Sequence, residues 1–427
     1  VVAAPGAGAT ADRLGRRARL SASPSPAQAL RQLVLRFGAA ALPRLAAWFA
    51  FLDSSQRSTH PAGCYRWAGR TAAHCLASGL DDYPRGLLVN EDECHLDLHS
   101  WMILFAGTLA SLCQQLGAAG SSLLPEDRRA QLCEAPDWAS RARALNVSLH
   151  EVFAPIGESG DPSLPLADYL GRQPVTKRGD VVVVPPWRTD GRCGPAFPVG
   201  AEDRPGECDP YGGAPCCSPS GWCGGSPDFC ECPGCSRAKR LEERKGGLWS
   251  RTQASHSPHL GYVSLFPLLL GLLSCEHPRS RLLLEALQPA GSGKKAGALW
   301  SRHGVMSLGS SDPLFRQGED YWRGKVWGNL NYLTISALGR CKAAEGTKRA
   351  HASLREGFVG AVLGAFQKQG SFFENFDPAN GEGRGTAQFT GWTALAVLVM
   401  ADEPLVVDLV ELLAAGAEGS AAVTQEL

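Results

Sequence analysis

The chain has 427 residues, of which 44% are hydrophobic and 20% are charged, a composition typical of a globular protein with two or three cores. Lysine and arginine together number 42, as do aspartate and glutamate, so the formal net charge is zero. Because no broad positive field attracts phosphates, we expect no nucleic-acid partner. We also predict no metal and no cofactor.

The N-terminal region is predicted to be a disordered lead-in followed by helices. Residues 1–27 are mostly Ala, Gly, Pro, Ser and Arg and contain no long apolar stretch. The chain starts at Val1, so we interpret it as a fragment with any signal or membrane anchor upstream. Helical periodicity covers 27–52, with an interruption at Pro43, and 94–116 is a long, mostly apolar helix. Both are predicted core helices.

Most of the remaining chain also has helical patterns. The apolar run at 262–273 contains Pro267 and is shorter than the roughly 18–20 residues of a membrane span, so it indicates a buried helix. Alternation of period two appears only around 181–184. The predicted fold class is therefore all-α, with paired helices and long loops that fit a toroid of helical hairpins. The further predicted helices lie at about 126–146, 261–274, 279–287, 325–341, 346–368 and 391–415.

A segment rich in Pro, Gly and Cys, 155–260, interrupts the helices and is interpreted as an insertion. It holds eight cysteines without a histidine among them, which favours four disulfides in an oxidising compartment over a zinc site: Cys193, Cys208, Cys216, Cys217, Cys223, Cys230, Cys232 and Cys235. The sequon at Asn146 agrees with a secretory route. The predicted division of the chain is a lead-in at 1–27, the helical body at 28–189 and 259–416, the module at 190–237, a linker at 238–258 and a tail at 417–427.

Four loops combine charged side chains with aromatic ones: CYRWAGR (64–70), SGLDDYPRG (78–86), EDYWRGKVWGNLNY (319–332) and ENFDPANGEGRG (374–385). A sugar has apolar C–H faces and a rim of hydroxyl groups, so aromatic platforms beside hydrogen-bonding charges suit a carbohydrate. These loops predict a sugar pocket.

Cleavage of a glycosidic bond needs one protonated carboxyl group and one ionised carboxylate. Asp81 and Glu374 lie on different loops, as two groups that flank a substrate must. The residues alone leave structural alternatives open: Asp81 or Asp82 caps a helix or pairs with Arg85, and Glu374 pairs with Arg384.

Four motifs in register carry a resemblance to a known family: ASGLDDYPRG, LGYVSLFPLLL, YWRGKVWGNLNYL, and FFENFDP with GEGRG and FTGW. Over roughly 28–150 and 258–402 the chain resembles the catalytic domain of glycoside hydrolase family 63, of the processing α-glucosidase type. The resemblance implies an (α/α)6 toroid. It also implies an inverting hydrolase of the endoplasmic reticulum lumen that removes the outermost α-1,2-linked glucose from the Glc3Man9GlcNAc2 N-glycan.

The resemblance also implies roles for individual residues. Asp81 is the general acid and Glu374 the base that activates water, with carboxyl groups roughly 6.5–9.5 Å apart in an inverting enzyme. Only 80 residues precede Asp81, so the ring is expected to be incomplete at its N-terminus. For Arg323 a buried structural ion pair is the alternative, and for Phe389 and Trp392 it is helix packing. The expected substrate-binding residues are Asp82, Arg85, Tyr65, Arg66, Trp67, Tyr321, Trp322, Arg323, Trp327, Phe389 and Trp392.

The cysteine spacing CC-x5-C-x6-C of the insertion is similar to the hevein-type chitin-binding fold. By this resemblance Ser218, Trp222 and Phe229 would hold an N-acetylglucosamine-containing glycan. Ser220 departs from the pattern, because an aromatic residue normally stands there. A purely structural module is the alternative.

Two other functions compete with the N-glycan glucosidase. One is a glycan-binding protein with impaired catalysis, and the other is a related toroid hydrolase that acts on small α-glucosides. The presence of both candidate carboxylates favours an enzyme over a lectin.

Overall fold

The computed structural model describes eleven stretches of the chain, and the predicted tail and nearly all of the predicted lead-in lie outside them. The described residues are 26–119, 122–155, 164–176, 179–182, 187–188, 190–199, 204–210, 213–240, 251–291, 295–344 and 346–401.

Within the described residues the helices agree closely with the sequence pattern, and residues 402–415 of the helix predicted at 391–415 lie outside them. The described residues contain α1 (Pro26–Ser55), α2 (Leu96–Ala118), α3 (Glu126–Arg129), α4 (Trp138–Val152), α5 (Pro227–Cys230), α6 (Tyr262–Leu269), α7 (Pro278–Ala286), α8 (Gly328–Arg340), α9 (Thr347–Gln369) and α10 (Ala396–Ala401). The helix predicted at 126–146 is divided, because a π-helical turn at Ala130–Glu134 follows α3. Asp137 then caps α4, where its side chain accepts a hydrogen bond from the Ser140 N–H.

One continuous apolar core joins the helices of both halves of the chain. The central helix α2 packs against α1, α4 and α6, and α8 packs against α6, α9 and α10. The run predicted to be a buried helix forms α6, in which every residue is buried. Helices Gln28–Ser55 and Leu96–Ala118 are long and apolar enough to cross a membrane by length and composition alone, a test that core helices also pass.

Small sheets supplement the helices, a feature that an all-α prediction did not include. The described strands are β1 (Tyr169–Val175), β2 (Gly194–Val199), β3 (Arg204–Gly206), β4 (Cys216–Cys217), β5 (Cys223–Gly224), β6 (Ser236–Arg237), β7 (Arg251–His256), β8 (Trp300–Ser301), β9 (Gly304–Val305), β10 (Val326–Trp327), β11 (Phe373–Phe376) and β12 (Gly383–Ala387). They form five sheets of two or three strands. The sheet β10-β11-β12 carries one of the two candidate catalytic acids, Glu374.

The insertion is tied to the helical body by a pair of antiparallel strands. Strand β1 precedes the cysteine-rich module and pairs with β7, which follows it. Strand β7 occupies the last part of the segment that was predicted to be a linker, 238–258. The polar sequence RTQASH carries too weak an alternation to reveal this strand, which is held by its backbone hydrogen bonds to β1.

All eight cysteines of the module form disulfides: Cys193–Cys217, Cys208–Cys223, Cys216–Cys230 and Cys232–Cys235. None of these eight cysteines therefore has a free thiolate for the zinc site, which was the alternative to disulfides in the sequence analysis. Three further disulfides, Cys64–Cys94, Cys113–Cys133 and Cys275–Cys341, lie in the helical body.

Candidate active site

Asp81 lies on a tight loop that short-range hydrogen bonds define. A 3-10 turn, Leu76–Ser78, ends at Gly79, whose φ of 70° is in the left-handed region that favours glycine. The Cys75 N–H then donates to the Asp81 carbonyl oxygen at 2.7 Å. The loop fixes the Asp81 backbone and leaves its side chain half-buried.

Glu374 lies on β11 at an irregularity of the sheet. Helix α9 ends at Gly370, which adopts a left-handed conformation (φ 68°), and the chain turns directly into the strand. The register between β11 and β12 shifts between Phe373 and Asn375, a bulge of the kind that redirects side chains. Gly385 has a φ of 70°, which favours glycine, and a Cβ atom there would lie 2.5 Å from Glu374 Oε2 and would displace this carboxylate.

The two acids share one electrostatic environment. Burial raises the pKa of the Asp81 carboxyl group, and the negative charge of the adjacent Asp82 raises it further. The charges of Glu319 and Glu374 also raise this pKa, whereas His74 lowers it. A raised pKa favours the protonated form, which a general acid requires.

Glu374 is held by hydrogen-bond donors on several sides. The Tyr321 hydroxyl donates to Glu374 Oε1 at 2.6 Å, and the Thr386 N–H donates to Oε2 at 3.2 Å. The Trp392 indole N–H donates to the Glu374 carbonyl oxygen at 2.7 Å. The alternative pair with Arg384 is not formed, because Arg384 binds Glu382 at 2.8 Å.

Two residues near the site were not among the individual site residues predicted from the sequence, although Glu319 begins one of the four loops. His74 Nε2 lies 2.7 Å from Glu319 Oε1, and both side chains are partly exposed. They lie far apart in the sequence, and neither belongs to a repeated pattern. No signal in the sequence could therefore pair them.

Asp82 and Arg85, which were predicted to bind substrate, are both occupied by contacts within the protein. The Asp82 side chain is 1% exposed and accepts hydrogen bonds from the N–H groups of Tyr321 and Trp322. Arg85 is buried as well, and it joins two carboxylates, Asp97 and Asp168, at 2.6 Å each. Both residues hold loops together.

Several predicted sugar contacts also lie in the core. Tyr65 is 0% exposed, and its hydroxyl donates to Asp53 at 2.6 Å. Trp322 and Trp327 are buried and stacked on each other, with ring centroids 3.6 Å apart. Arg323 is buried, and its Nε lies 3.4 Å from Asp82 Oδ2, which is the buried ion pair of the structural alternative for this residue.

The remaining predicted contacts keep part of their surface exposed. Arg66, Trp67, Phe389 and Trp392 are half-buried. The Trp67 indole donates to Asp97, and the rings of Phe389 and Trp392 contact each other with centroids 4.8 Å apart. These four stay predictions as substrate contacts.

In the insertion, the predicted sugar residues are partly occupied by internal contacts. The Ser218 hydroxyl is 2.9 Å from the Ser220 hydroxyl and accepts from the Trp222 N–H. The Arg192 guanidinium covers one face of Trp222 at 3.3 Å from the ring centroid, so only the other face is left for a sugar. Phe229 packs over Gly224, where a Cβ atom would meet its ring.

The predicted glycosylation site lies inside α4. Asn146 is half-buried, and the hydroxyl of Ser148, the third residue of the sequon, donates to the Ala62 carbonyl oxygen at 2.9 Å. Glycosylation at Asn146 stays a prediction.

Hydrolysis of a glycosidic bond requires two carboxyl groups, and the candidates here are Asp81 on a loop, with a raised pKa, and Glu374 on β11, with hydrogen-bond donors on both carboxylate oxygens. A family model described as the glycosyl hydrolase family 63 C-terminal domain matches residues 21–138 and 239–402. The chain therefore belongs to glycosyl hydrolase family 63. This membership confirms the predicted class of a helical toroid.

The chain is similar to several named proteins. A probable mannosyl-oligosaccharide glucosidase of Schizosaccharomyces pombe is 26% identical over 83% of this chain and 33% of its own length. A glucosylglycerate hydrolase of Mycolicibacterium hassiacum is 35% identical over 31% of this chain and 26% of its own length. A solved mannosylglycerate hydrolase of Thermus thermophilus in complex with glucose covers 72% of this chain and 48% of its own, with 14% identity and a TM-score of 0.36. The chain spans about a third of the length of the glucosidase relative.

Proposed function

We propose that the chain carries the catalytic centre of an inverting α-glucosidase that removes the distal α-1,2-linked glucose from a glucosylated N-glycan. The observation that carries the proposal is that Asp81 and Glu374, which are far apart in the sequence, interact electrostatically in a family 63 protein, since the charge of Glu374 raises the pKa of Asp81. The relatives named mannosyl-oligosaccharide glucosidase supply the substrate class.

The chemistry follows from the two carboxyl groups. Asp81, protonated, donates its proton to the glycosidic oxygen as the bond from that oxygen to C1 breaks. Glu374, ionised, takes a proton from a water molecule whose oxygen forms the new bond to C1. The products are a glucose of inverted configuration and the shortened glycan. Asp81 ends ionised and Glu374 ends protonated.

The surroundings of the two acids also suit their different roles. Burial and neighbouring negative charges raise the pKa of Asp81, which favours its protonated form, while Tyr321 and Thr386 each donate a hydrogen bond to one oxygen of the Glu374 carboxylate. The half-buried surfaces of Phe389 and Trp392 then offer apolar walls for the sugar ring.

We propose the lumen of the endoplasmic reticulum as the compartment and nascent glycoproteins as the partners, with a membrane anchor upstream of the chain. The seven disulfides of the described residues support an oxidising environment. An N-acetylglucosamine-containing glycan is the proposed ligand of the cysteine module.

The direct experiment measures glucose release from a triglucosylated N-glycan by the wild-type chain and by the D81N and E374Q variants. We expect each variant to lose about 100- to 10,000-fold in kcat while glycan binding persists. Glu285→Gln, an exposed acid on α7, is the control and should retain full activity. Near wild-type turnover by E374Q would refute the assignment.

A second candidate is hydrolysis of small α-glucosides, which the glucosylglycerate hydrolase relative favours. Release of glucose from glucosylglycerate or trehalose, without release from the N-glycan, would select it. The same two acids would act in that reaction.

A further inference from the structure

The candidate base is oriented by a tyrosine. Tyr321 donates its hydroxyl hydrogen to Glu374 Oε1 at 2.6 Å, while the Thr386 N–H donates to Oε2. One donor on each oxygen fixes the plane of a carboxylate, which would otherwise rotate freely about its terminal bond. The hydroxyl is therefore placed to set the direction in which Glu374 accepts a proton.

Tyr321 is itself fixed at both ends. Its ring stands edge-on to Trp327, with centroids 4.7 Å apart and planes at 83°, and Trp327 is stacked on Trp322 in the core. Its backbone N–H donates to the buried Asp82 carboxylate at 3.2 Å, and the next N–H, that of Trp322, donates to the same carboxylate at 2.5 Å. A side chain anchored in this way cannot turn away without breaking core contacts.

The anchor also connects the two candidate catalytic groups. Asp82 directly follows Asp81 in the chain, so the residue that holds the Tyr321 backbone belongs to the acid loop. A short series of covalent bonds and hydrogen bonds therefore connects Asp81, through Asp82 and Tyr321, to Glu374. The rigid backbone and the tyrosine ring fix the length of this connection. The separation of the two carboxyl groups in turn decides whether a water molecule fits between them.

We propose that Tyr321 is a positioning residue for Glu374, and that through Asp82 it sets the spacing between the base and the acid loop. The proposal rests on the proposed function and adds a role to it. It replaces the sequence-based expectation that Tyr321 binds substrate, because the hydroxyl is already committed to the base. Burial, followed by the hydrogen bond to Glu374, raises the pKa of Tyr321, so the hydroxyl keeps its hydrogen at neutral pH.

The kinetic test is Tyr321→Phe, which removes one oxygen atom and keeps the ring against Trp327. Loss of a hydrogen bond to a charged group corresponds to a fall in kcat of about 10- to 100-fold, with little change in KM. Tyr332→Phe is the matched control, because the buried Tyr332 hydroxyl has no hydrogen-bond partner among the described residues. A rise in KM with unchanged kcat would mean that Tyr321 binds sugar directly, and would overturn the proposal.

A structural readout separates this proposal from the proposed function. Crystal structures of the wild-type chain and of Y321F should show the Glu374 carboxylate in one orientation in the former and rotated away in the latter. An unmoved carboxylate in Y321F would overturn the positioning role, whatever the activity. If the wild-type chain released no glucose, the proposed function would fail, and the crystal structures would still decide whether Tyr321 orients Glu374.

Discussion

Two groups of charged residues in this protein differ in how far their side chains are buried and paired with opposite charges. In the closed group, Arg85 joins Asp97 and Asp168, and Arg70 joins Glu93, with every one of these side chains at most 2% exposed. In the open group, Asp81 and Glu374 are half-buried and form no ion pair with an arginine or lysine among the described residues. Arg85 of the closed group and both residues of the open group lie in the motifs that carry the family resemblance.

The difference distinguishes charged residues that stabilise the fold from carboxyl groups that are available for a reaction. A fully buried charge is tolerated when an opposite charge compensates it, so the closed group holds loops in place and is unavailable to substrate. A half-buried carboxyl group without such a partner has a pKa that neighbouring charges can shift, as they do for Asp81. Asp81 and Asp82, adjacent in the chain, fall on opposite sides of this division.

The largest expected effect concerns the stability of the closed group. Arg85→Met leaves Asp97 and Asp168 buried without their shared partner, and we expect the free energy of unfolding to fall by about 3–5 kcal/mol. The matched control is Arg384→Met, because Arg384 and Glu382 are both about half exposed, and about 0–1 kcal/mol is expected there. Urea unfolding measures both. Equal losses would contradict the division into closed and open groups.

The next effect is a pH dependence of stability that Glu93 causes. Burial alone would raise the pKa of Glu93, but the hydrogen bond with His95 and the charge of Arg70 lower it from 4.5 to about 2. The resulting stabilisation is present above pH 4.5 and is lost as the pH falls to about 2, an amount of about 3 kcal/mol.

Glu93→Gln should remove this part of the acid dependence, which unfolding measurements across the same pH range detect. The variant is also expected to be less stable at neutral pH, since Arg70 loses its carboxylate partner. Glu134→Gln, at an exposed ion pair with Arg129, should leave the slope unchanged. An unchanged slope in Glu93→Gln would show that the acid sensitivity arises elsewhere.

The smallest expected effect concerns the pKa of Asp81 in the open group. Glu319 raises the pKa of Asp81 by its negative charge, so Glu319→Gln should lower that pKa. Because the acid must be protonated, the alkaline limb of the profile of kcat/KM against pH should move to lower pH. Stability should change little, since the Glu319 side chain is 48% exposed. Glu285→Gln is the control, and an upward shift in Glu319→Gln would contradict the expected electrostatics.

The sequence predicted the helices well because their apolar periodicity is strong. The helix expected at 346–368 occupies Thr347–Gln369, and the one expected at 27–52 occupies Pro26–Ser55. Strand β7 was missed because a polar strand on a two-stranded sheet has little periodicity to detect. His95 and Asp97 lie on an otherwise apolar segment, and both are internally bonded.

The candidate site was harder to predict than the fold. The motif S-G-L-D-D contains two adjacent acids that the sequence does not distinguish. In the folded loop the Asp81 side chain is half-buried, whereas Asp82 accepts hydrogen bonds from the backbone N–H groups of Tyr321 and Trp322. Aromatic residues in a motif that is predicted to bind sugar can line a pocket or pack in the core, and the sequence does not distinguish the two. Trp327 proved to be core because it stacks on Trp322, a contact that depends on tertiary packing.

The central claim is that Asp81 and Glu374 cleave an α-glucosidic bond with a water molecule between them. Proton NMR of the glucose released in the first minutes from an α-1,2-glucosylated glycan tests this most directly. The account predicts that β-glucose appears first and that α-glucose follows by mutarotation, because the water attacks from the face opposite the leaving group. Initial formation of α-glucose would mean retention of configuration and would contradict the assigned roles of both acids.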